Sequence, residues 1–290
     1  MLLEKPVTTQ ARATATVAAG LEARVGAHTD PGQSREQNED RLVVFDLKKR
    51  AAVDVISEPT VRMKLENGPL LLMVCDGMGG MAGGETASQM CTFQLPPAIV
   101  KHLGKSGAGD LEAQQQAMNA AVQETHRSIY ERSRSDEKLR GMGCTLTAAL
   151  LERNRMLITQ VGDSRLYLGR EREIAQLTFD QTIWDTLRAS GQDPEKTLGK
   201  GPWKSTLTQA MGAQANVKPV FSEKELQPED WLVLSSDGLH RVLNLEDIAE
   251  IVWSAGTAGE KARRMVNKTN AGGAPDNVSV IVCHVAAAGG

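Results

Sequence analysis

Leu70-Leu-Leu-Met-Val-Cys75 runs directly into Asp76-Gly-Met-Gly-Gly80. Six consecutive apolar residues that stop abruptly at Asp-Gly have the length of a strand. The lack of alternation predicts a strand covered on both faces. The glycines permit positive φ and close backbone approach, so a carbonyl such as that of Gly77 can point at a cation beside the Asp76 carboxylate. An acid beside a turn recurs in Arg35-Glu-Gln-Asn-Glu-Asp40, in Ser235-Ser-Asp-Gly238 after the apolar Trp231-Leu-Val-Leu234, and in Pro275-Asp-Asn277. Carboxylates that converge on one spot repel strongly unless cations lie between them. Asp40, Asp76, Asp237 and Asp276 therefore point to a carboxylate-lined metal site. Each motif alone is weak, because Asp-Gly turns are common.

The rest of the chain supplies further strands and a few helices. Ala23 to Thr29 reads as a strand, ended by the turn Asp30-Pro-Gly32, and Asp40 to Phe45 as a second. Residues 46–68 read as an irregular connection or hairpin. A helix is expected from Glu85 to about Cys91 or beyond, interrupted at Pro96-Pro97. A longer one runs from Leu111 to Ser133, with Met118, Ala121, Val122, Thr125 and Ile129 on one face. The segments 144–151, 156–161, 165–168 and 173–177 read as a meander of hairpins. Residues 178–215 are expected to hold one short helical stretch. Two helices then follow, the first capped by Asn244, the second facing inward through Ala262, Met265, Val266 and Thr269. Val278 to Cys283 is the closing strand. Residues 1–21 read as a flexible tail. Many antiparallel strands with helices between them imply sheets packed face to face, helices outside.

Composition narrows the function. The 290 residues are 41% apolar and 24% charged, enough for a large core, but aromatics are only 3%, which leaves that core to Leu, Val, Ile, Ala and Met. A net charge of −3 gives no reason to expect nucleic acid or an anionic membrane as partner. Cys75, Cys91, Cys144 and Cys283 form no Cys-x-x-Cys pair, so they read as buried reduced thiols and zinc is not expected. No stretch reaches the roughly 18–20 apolar residues of a membrane span. A cytoplasmic monomer is the expectation.

Two further motifs carry chemistry. Arg35 precedes Asp40 by five residues, and a guanidinium suits bidentate phosphate binding; the plainer alternative is a surface arginine with a local ion pair. Gly162-Asp163-Ser-Arg165 lies between two strands, where a simple hairpin turn is the alternative reading.

In order and surroundings these motifs resemble the metal-dependent type 2C family of Ser/Thr protein phosphatases, bacterial branch. The resemblance runs from about Arg24 to Val285. It rests on Arg35-x-x-Asn-Glu-Asp40, Asp76-Gly-Met-Gly-Gly80 followed by Gly84-Glu85, Gly141-Met-Gly-Cys-Thr145, Gly162-Asp-Ser-Arg165, and Asp237-Gly followed by Asp276-Asn277. It implies an α+β fold, a four-layer α-β-β-α sandwich with two central antiparallel sheets, in one catalytic domain over 22–287. It also implies two Mn²⁺ or Mg²⁺ ions bridged by Asp76, with the Gly77 carbonyl on one, Asp237 and Asp276 on the other, and Asp40 and Glu39 acting largely through water. Arg35 would clamp the phosphate while a metal-bridging water attacks phosphoserine or phosphothreonine, reversing the work of a Ser/Thr kinase.

Four departures stand out. Met78 replaces a histidine found in some relatives. Arg241 occupies a position where many bacterial members have an acid that, with the equivalent of Asp163, binds a third metal; a full third site is therefore not expected. Asp180-Gln-Thr182 replaces Asp-His-Ser, and Gln209 replaces an arginine, at or near the 181–206 flap, where substrate preference would be affected. Two alternatives remain: a non-catalytic phosphoprotein-binding regulator of the same fold, against which all four core acids argue, and a phosphatase of small esters or phosphotyrosine.

Overall fold

The computed structural model describes residues 20–58, 60–79, 83–104 and 110–289. Fourteen strands are described: β1 Leu21–Asp30, β2 Arg41–Asp46, β3 Ala51–Ala52, β4 Val61–Lys64, β5 Leu70–Cys75, β6 Gly77–Met78, β7 Gly143–Cys144, β8 Leu146–Glu152, β9 Arg155–Val161, β10 Arg165–Arg170, β11 Glu173–Gln176, β12 Val220–Glu225, β13 Trp231–Ser235 and β14 Val278–Ala287. The helices are α1 Gly83–Leu103, α2 Leu111–Ser135, α3 Ile183–Ala189, α4 Pro194–Leu198, α5 Asp237–His240, α6 Leu245–Trp253 and α7 Ala258–Ala271. Of the tail expected over residues 1–21, residues 1–19 lie outside the described residues, and Leu21 already opens β1.

Two six-stranded antiparallel sheets form the middle of the molecule. One has the order β11-β10-β13-β14-β1-β4, the other β12-β9-β8-β5-β2-β3. β5 shows why its sequence is apolar throughout. Leu70, Leu72 and Val74 enter the core between the sheets, where they meet Val25, Leu234, Ile281 and Cys283. Leu71, Met73 and Cys75 point the other way, into the layer shared with α1 and α2. The opposite face of the first sheet packs Val233, Val280 and Val282 against Ile248, Ala262, Met265 and Val266 of α6 and α7. The four-layer α-β-β-α sandwich implied by the resemblance is the observed architecture. Tyr167 is the one buried aromatic among the described core residues, in keeping with the aliphatic composition.

Three expectations need correction. The strands between 144 and 177 are not one meander: β8 pairs with β9 in one sheet and β10 with β11 in the other. Gly162-Asp-Ser164 is therefore the crossing between sheets, not a hairpin turn. α1 is not interrupted at Pro96-Pro97 but continues to Leu103. Pro97 and Phe93, one turn before it, lie on the exposed face, where water can take the carbonyl that the proline leaves unbonded. Burial of Leu95, Ala98 and Ile99 outweighs the lost bonds. Residues 178–215 hold two short helices, α3 and α4, each with a side-chain N-cap, Thr182 and Asp193. β12 has no apolar run to signal it: its Val220-Phe-Ser-Glu-Lys-Glu225 is polar because it is an edge strand that exposes most of its residues. The two caps of α6 and α7 are full capping boxes, Asn244 with Asp247 and Thr257 with Glu260.

Leu72 is fully buried in the strand that both major cores share. Leu72→Ala is expected to cost about 2–5 kcal/mol, by lost transfer energy plus a cavity. Urea unfolding checks this: the midpoint should drop at unchanged slope, and a cost below about 1 kcal/mol would contradict the packing described.

Candidate metal centre

Antiparallel pairing brings the acids to one end of the sandwich. In the second sheet, β2 starts where β5 ends, and β9 runs in the same direction as β5. Asp40 before β2, Asp76 after β5 and Asp163 after β9 therefore share an edge. In the first sheet, β13 ends where β14 begins, which places Asp237 and Asp276 beside each other. The two edges face one cleft of about 670 Å³ lined by Arg35, Glu39, Asp76, Gly77, Asp163, Asp237 and Asp276 among others. Every site residue expected from the sequence lines it except Asp40, which lies behind, buried.

Hydrogen bonds fix the acids from behind. Asp76 and Thr145 are tied reciprocally: the Asp76 N–H donates to Thr145 Oγ1 at 2.9 Å and the Thr145 N–H to the Asp76 carbonyl at 2.8 Å. Thr145 Oγ1 also shares a 2.6 Å hydroxyl contact with Ser164 Oγ. Ser236 Oγ donates to Asp40 Oδ2 at 2.6 Å and accepts from the Ser279 N–H at 3.0 Å, so one serine joins the two sheets. Asn277 accepts from the Glu39 N–H at 2.8 Å and donates to the carbonyls of Pro31 and Gln37 at 2.9 and 2.8 Å, clamping the arginine-bearing loop to the β14 turn. Gly77 is required sterically: a Cβ there would stand 2.3 Å from the Gly84 carbonyl oxygen. Gly238 is required for the same reason against the Asn277 carbonyl, at 2.0 Å.

Two arginines enter the acid ring. Arg35 pairs not with a local acid but with Asp276, 241 residues away: Nε to Oδ1 at 3.0 Å and Nη2 to Oδ2 at 3.1 Å. Arg241, one turn after Asp237, donates from both Nε and Nη2 to Asp237 Oδ2, and its Nη2 is 4.0 Å from Asp276 Oδ2.

The electrostatic strain is visible in the acids' proton affinities. Burial, reinforced by the charges of Asp40, Asp237, Asp163 and Asp276, holds the Asp76 carboxyl well above the usual range. Burial raises Asp40 to about 7 against its serine hydrogen bonds, with Asp237 and Asp276 adding to the rise. Asp163 is also raised to about 7, by burial and then by Asp237 and Asp180, with Arg241 opposing. Glu39 is raised by burial, and Arg35 opposes.

These residues fit divalent cations. Asp40 Oδ1 and Asp237 Oδ1 are buried without a hydrogen-bond partner, and a buried carboxylate oxygen in that state is costly unless a cation covers it. The cleft's donors are hard oxygens, which select Mg²⁺ or Mn²⁺ over thiophilic ions. Among the described residues no three acids bring an oxygen each within 4.8 Å of one another. The acids ring the cleft, leaving room for water and substrate oxygens between them.

The departures take on structural meaning. Asp180, Gln181 and Thr182 are buried. Asp180 accepts a bidentate pair from Arg165, Gln181 Oε1 accepts from the Gly162 N–H at 2.7 Å, and Thr182 caps α3. Gln209 accepts from the Lys218 N–H. None of these residues lines the cleft; from this segment Ser205 and Leu207 do. The changes expected to bear on substrate preference thus do not face the cleft, whereas Ser205 and Leu207 do. Sequence reasoning missed Ser236, Ser279 and Ser164. Ser236 stands next to Asp237 in the quoted motif, but no local signal says that its hydroxyl reaches across to Asp40.

The family model for protein phosphatase 2C matches residues 60–265. The serine/threonine phosphatase stp of Listeria monocytogenes is 32% identical over 88% of this chain and 92% of its own length. The Streptococcus agalactiae serine/threonine phosphatase structure superposes with a TM-score of 0.76 at 28% identity, covering 90% of this chain and 99% of that one. The catalytic domain of the serine/threonine protein phosphatase PstP, solved with two manganese ions, gives 0.69 at 31% identity over 92% of this chain and 99% of that one.

A raised carboxyl has a definite effect on stability. Asp40 loses its proton near its ordinary value of 3.8 when unfolded and at about 7 when folded. Between those limits the folded chain holds a proton that the unfolded chain has lost, so its contribution falls as pH rises to about 7 and is constant above. Buried His126 and the half-buried His28, His240 and His284, all lowered by loss of solvent, act in the opposite sense. The difference between proteins isolates the acid: with chelator, the melting temperature of Asp40→Asn should gain on wild type as pH rises from 5 to 7.5. A constant difference would contradict the raised carboxyl.

Proposed function

The chain belongs to the protein phosphatase 2C family and is a metal-dependent serine/threonine protein phosphatase of the bacterial type, and from that we propose how its own residues carry the reaction. We infer that Asp76, Asp237 and Asp276, with the Gly77 carbonyl, hold two Mn²⁺ or Mg²⁺ ions, and that Asp40 and Glu39 support them through water. The observation that carries this reading is the convergence on one cleft of hard-oxygen donors from opposite sheets, with the buried Asp237 Oδ1 in it and Asp40 Oδ1 behind it unpartnered. Such ions, when bound, supply a water of lowered pKa and neutralise phosphoryl oxygens.

The protein's share is positioning. Asp76 is held through its backbone N–H and carbonyl by Thr145, so its carboxylate cannot retreat as charge changes in front of it. Arg35 is half-exposed at the cleft mouth, and its fork, here on Asp276, is the group to grip a substrate phosphate once Asp276 is otherwise neutralised. Met78 lines the cleft and has no proton to give, so water must protonate the departing serine or threonine oxygen. Arg241 supplies at Asp237 the positive charge that a third ion would bring, and Asp163, facing it, is not expected to complete a third site. We take residues 22–287 as the catalytic domain and the phosphorylated targets of a cytoplasmic Ser/Thr kinase as its substrates.

Phosphothreonine-peptide hydrolysis tests the reading. Turnover should require Mn²⁺ or Mg²⁺, stop with chelator, return on adding the ion back, and fall to background in Asp237→Ala. Arg35→Ala should lose about 10–100-fold in kcat/KM, the worth of charge-assisted hydrogen bonds to phosphate. Chelator-resistant turnover, or full activity in Asp237→Ala, would refute the assignment.

A further inference from the structure

The apolar layer between the second sheet and helices α1 and α2 contains three thiols from three separate elements: Cys75 at the end of β5, Cys91 on α1 and Cys144 in β7. All three are fully buried, and their sulfur atoms lie within 4.8 Å of one another. The fourth cysteine, Cys283, sits apart in the core between the sheets. The sequence hides this triangle, since no two of the three share a metal-binding spacing. It also qualifies the reading of these residues as unrelated buried thiols.

The triangle has the size of a metal site. A planar unit with metal–sulfur bonds of about 2.3 Å sets its sulfurs about 4 Å apart, so little movement is required. Among the described residues no His, Cys, Asp or Glu supplies a fourth corner. Structural zinc demands four ligands, which argues against it here. Soft sulfur ligands select monovalent copper instead, and Met73, Leu95, Met142 and Leu146 in the same core keep water away. The hard ions expected in the carboxylate cleft do not compete for such ligands.

We propose that Cys75, Cys91 and Cys144 form a three-coordinate thiolate site for Cu(I), separate from the carboxylate cleft. Copper–sulfur bonds replace S–H bonds, the displaced protons pass to solvent, and the copper stays monovalent, so no electron moves. Because the thiols are fully buried, loading requires local opening of the layer under α1 and is slow.

The test uses the full chain under anaerobic conditions, equilibrated with Cu(I) held by a chromophoric chelator. Circular dichroism confirms that each variant is folded. One Cu(I) per chain is expected, with ultraviolet thiolate-to-copper absorption. Cys283→Ala should retain it, while Cys91→Ala and Cys91→Ser should bind at least 100-fold more weakly. No binding by wild type, undiminished binding by both folded Cys91 variants, or equal retention of Zn²⁺ in place of Cu(I) would overturn the proposal.

Discussion

Mutual repulsion of carboxylates at one end of a β-sandwich is the constraint around which this molecule is organised. Asp76, Asp163, Asp237 and Asp276 from two sheets face a common space with Asp40 behind it, and low-dielectric surroundings make their charges costly together. The fold answers in three ways. Burial and neighbouring charge raise the proton affinities of Asp40, Asp76 and Asp163. Arg35 and Arg241 lie on Asp276 and Asp237. The backbones that carry the acids are locked by Thr145, Ser236 and Asn277, so the ring cannot relax by spreading. A site strained in this way gains most when divalent cations enter it, which is what a phosphate-hydrolysing centre requires.

Rigidity behind the site comes from the sandwich itself. β5 is apolar on both faces because it is shared by two cores, and its last residue is followed at once by Asp76. Gly77 and Gly238 then allow neighbouring backbones to come closer than any side chain would permit. The segment between β11 and β12 contributes little to the cleft beyond Ser205 and Leu207. Its unusual residues Gln181, Thr182 and Gln209 are occupied with holding their own loop together. Those positions are taken up with architecture, and from this segment it is Ser205 and Leu207 that reach the opening.

Much of this was legible in the sequence because the signals are local. Leu70 to Cys75 announces a doubly covered strand, Asn244 a helix start, and the acids beside turns a shared acidic cleft. What was not legible depends on contacts between distant residues. Whether β9 and β10 pair or part cannot be read from Gly162-Asp-Ser164, since a hairpin turn and a sheet crossing use the same residues. The continuation of α1 past Pro96-Pro97 depends on burial of Leu95, Ala98 and Ile99, a tertiary gain that overrides a local penalty. The partner of Arg35 is 241 residues away, and the serine link from Asp40 to the other sheet has no sequence spacing to betray it.

Calorimetric titration of Mn²⁺ into the chelator-treated protein near pH 6.5, in two buffers of different ionisation enthalpy, bears most directly on this account. It counts both the ions that bind and the protons they displace. Two ions per chain and net proton release are expected, because the raised carboxyls must ionise as cations arrive. Loss of binding in Asp76→Asn should accompany it. Binding without proton release, or no binding by folded wild-type protein, would contradict the view that repelling carboxylates are what the cations bring together.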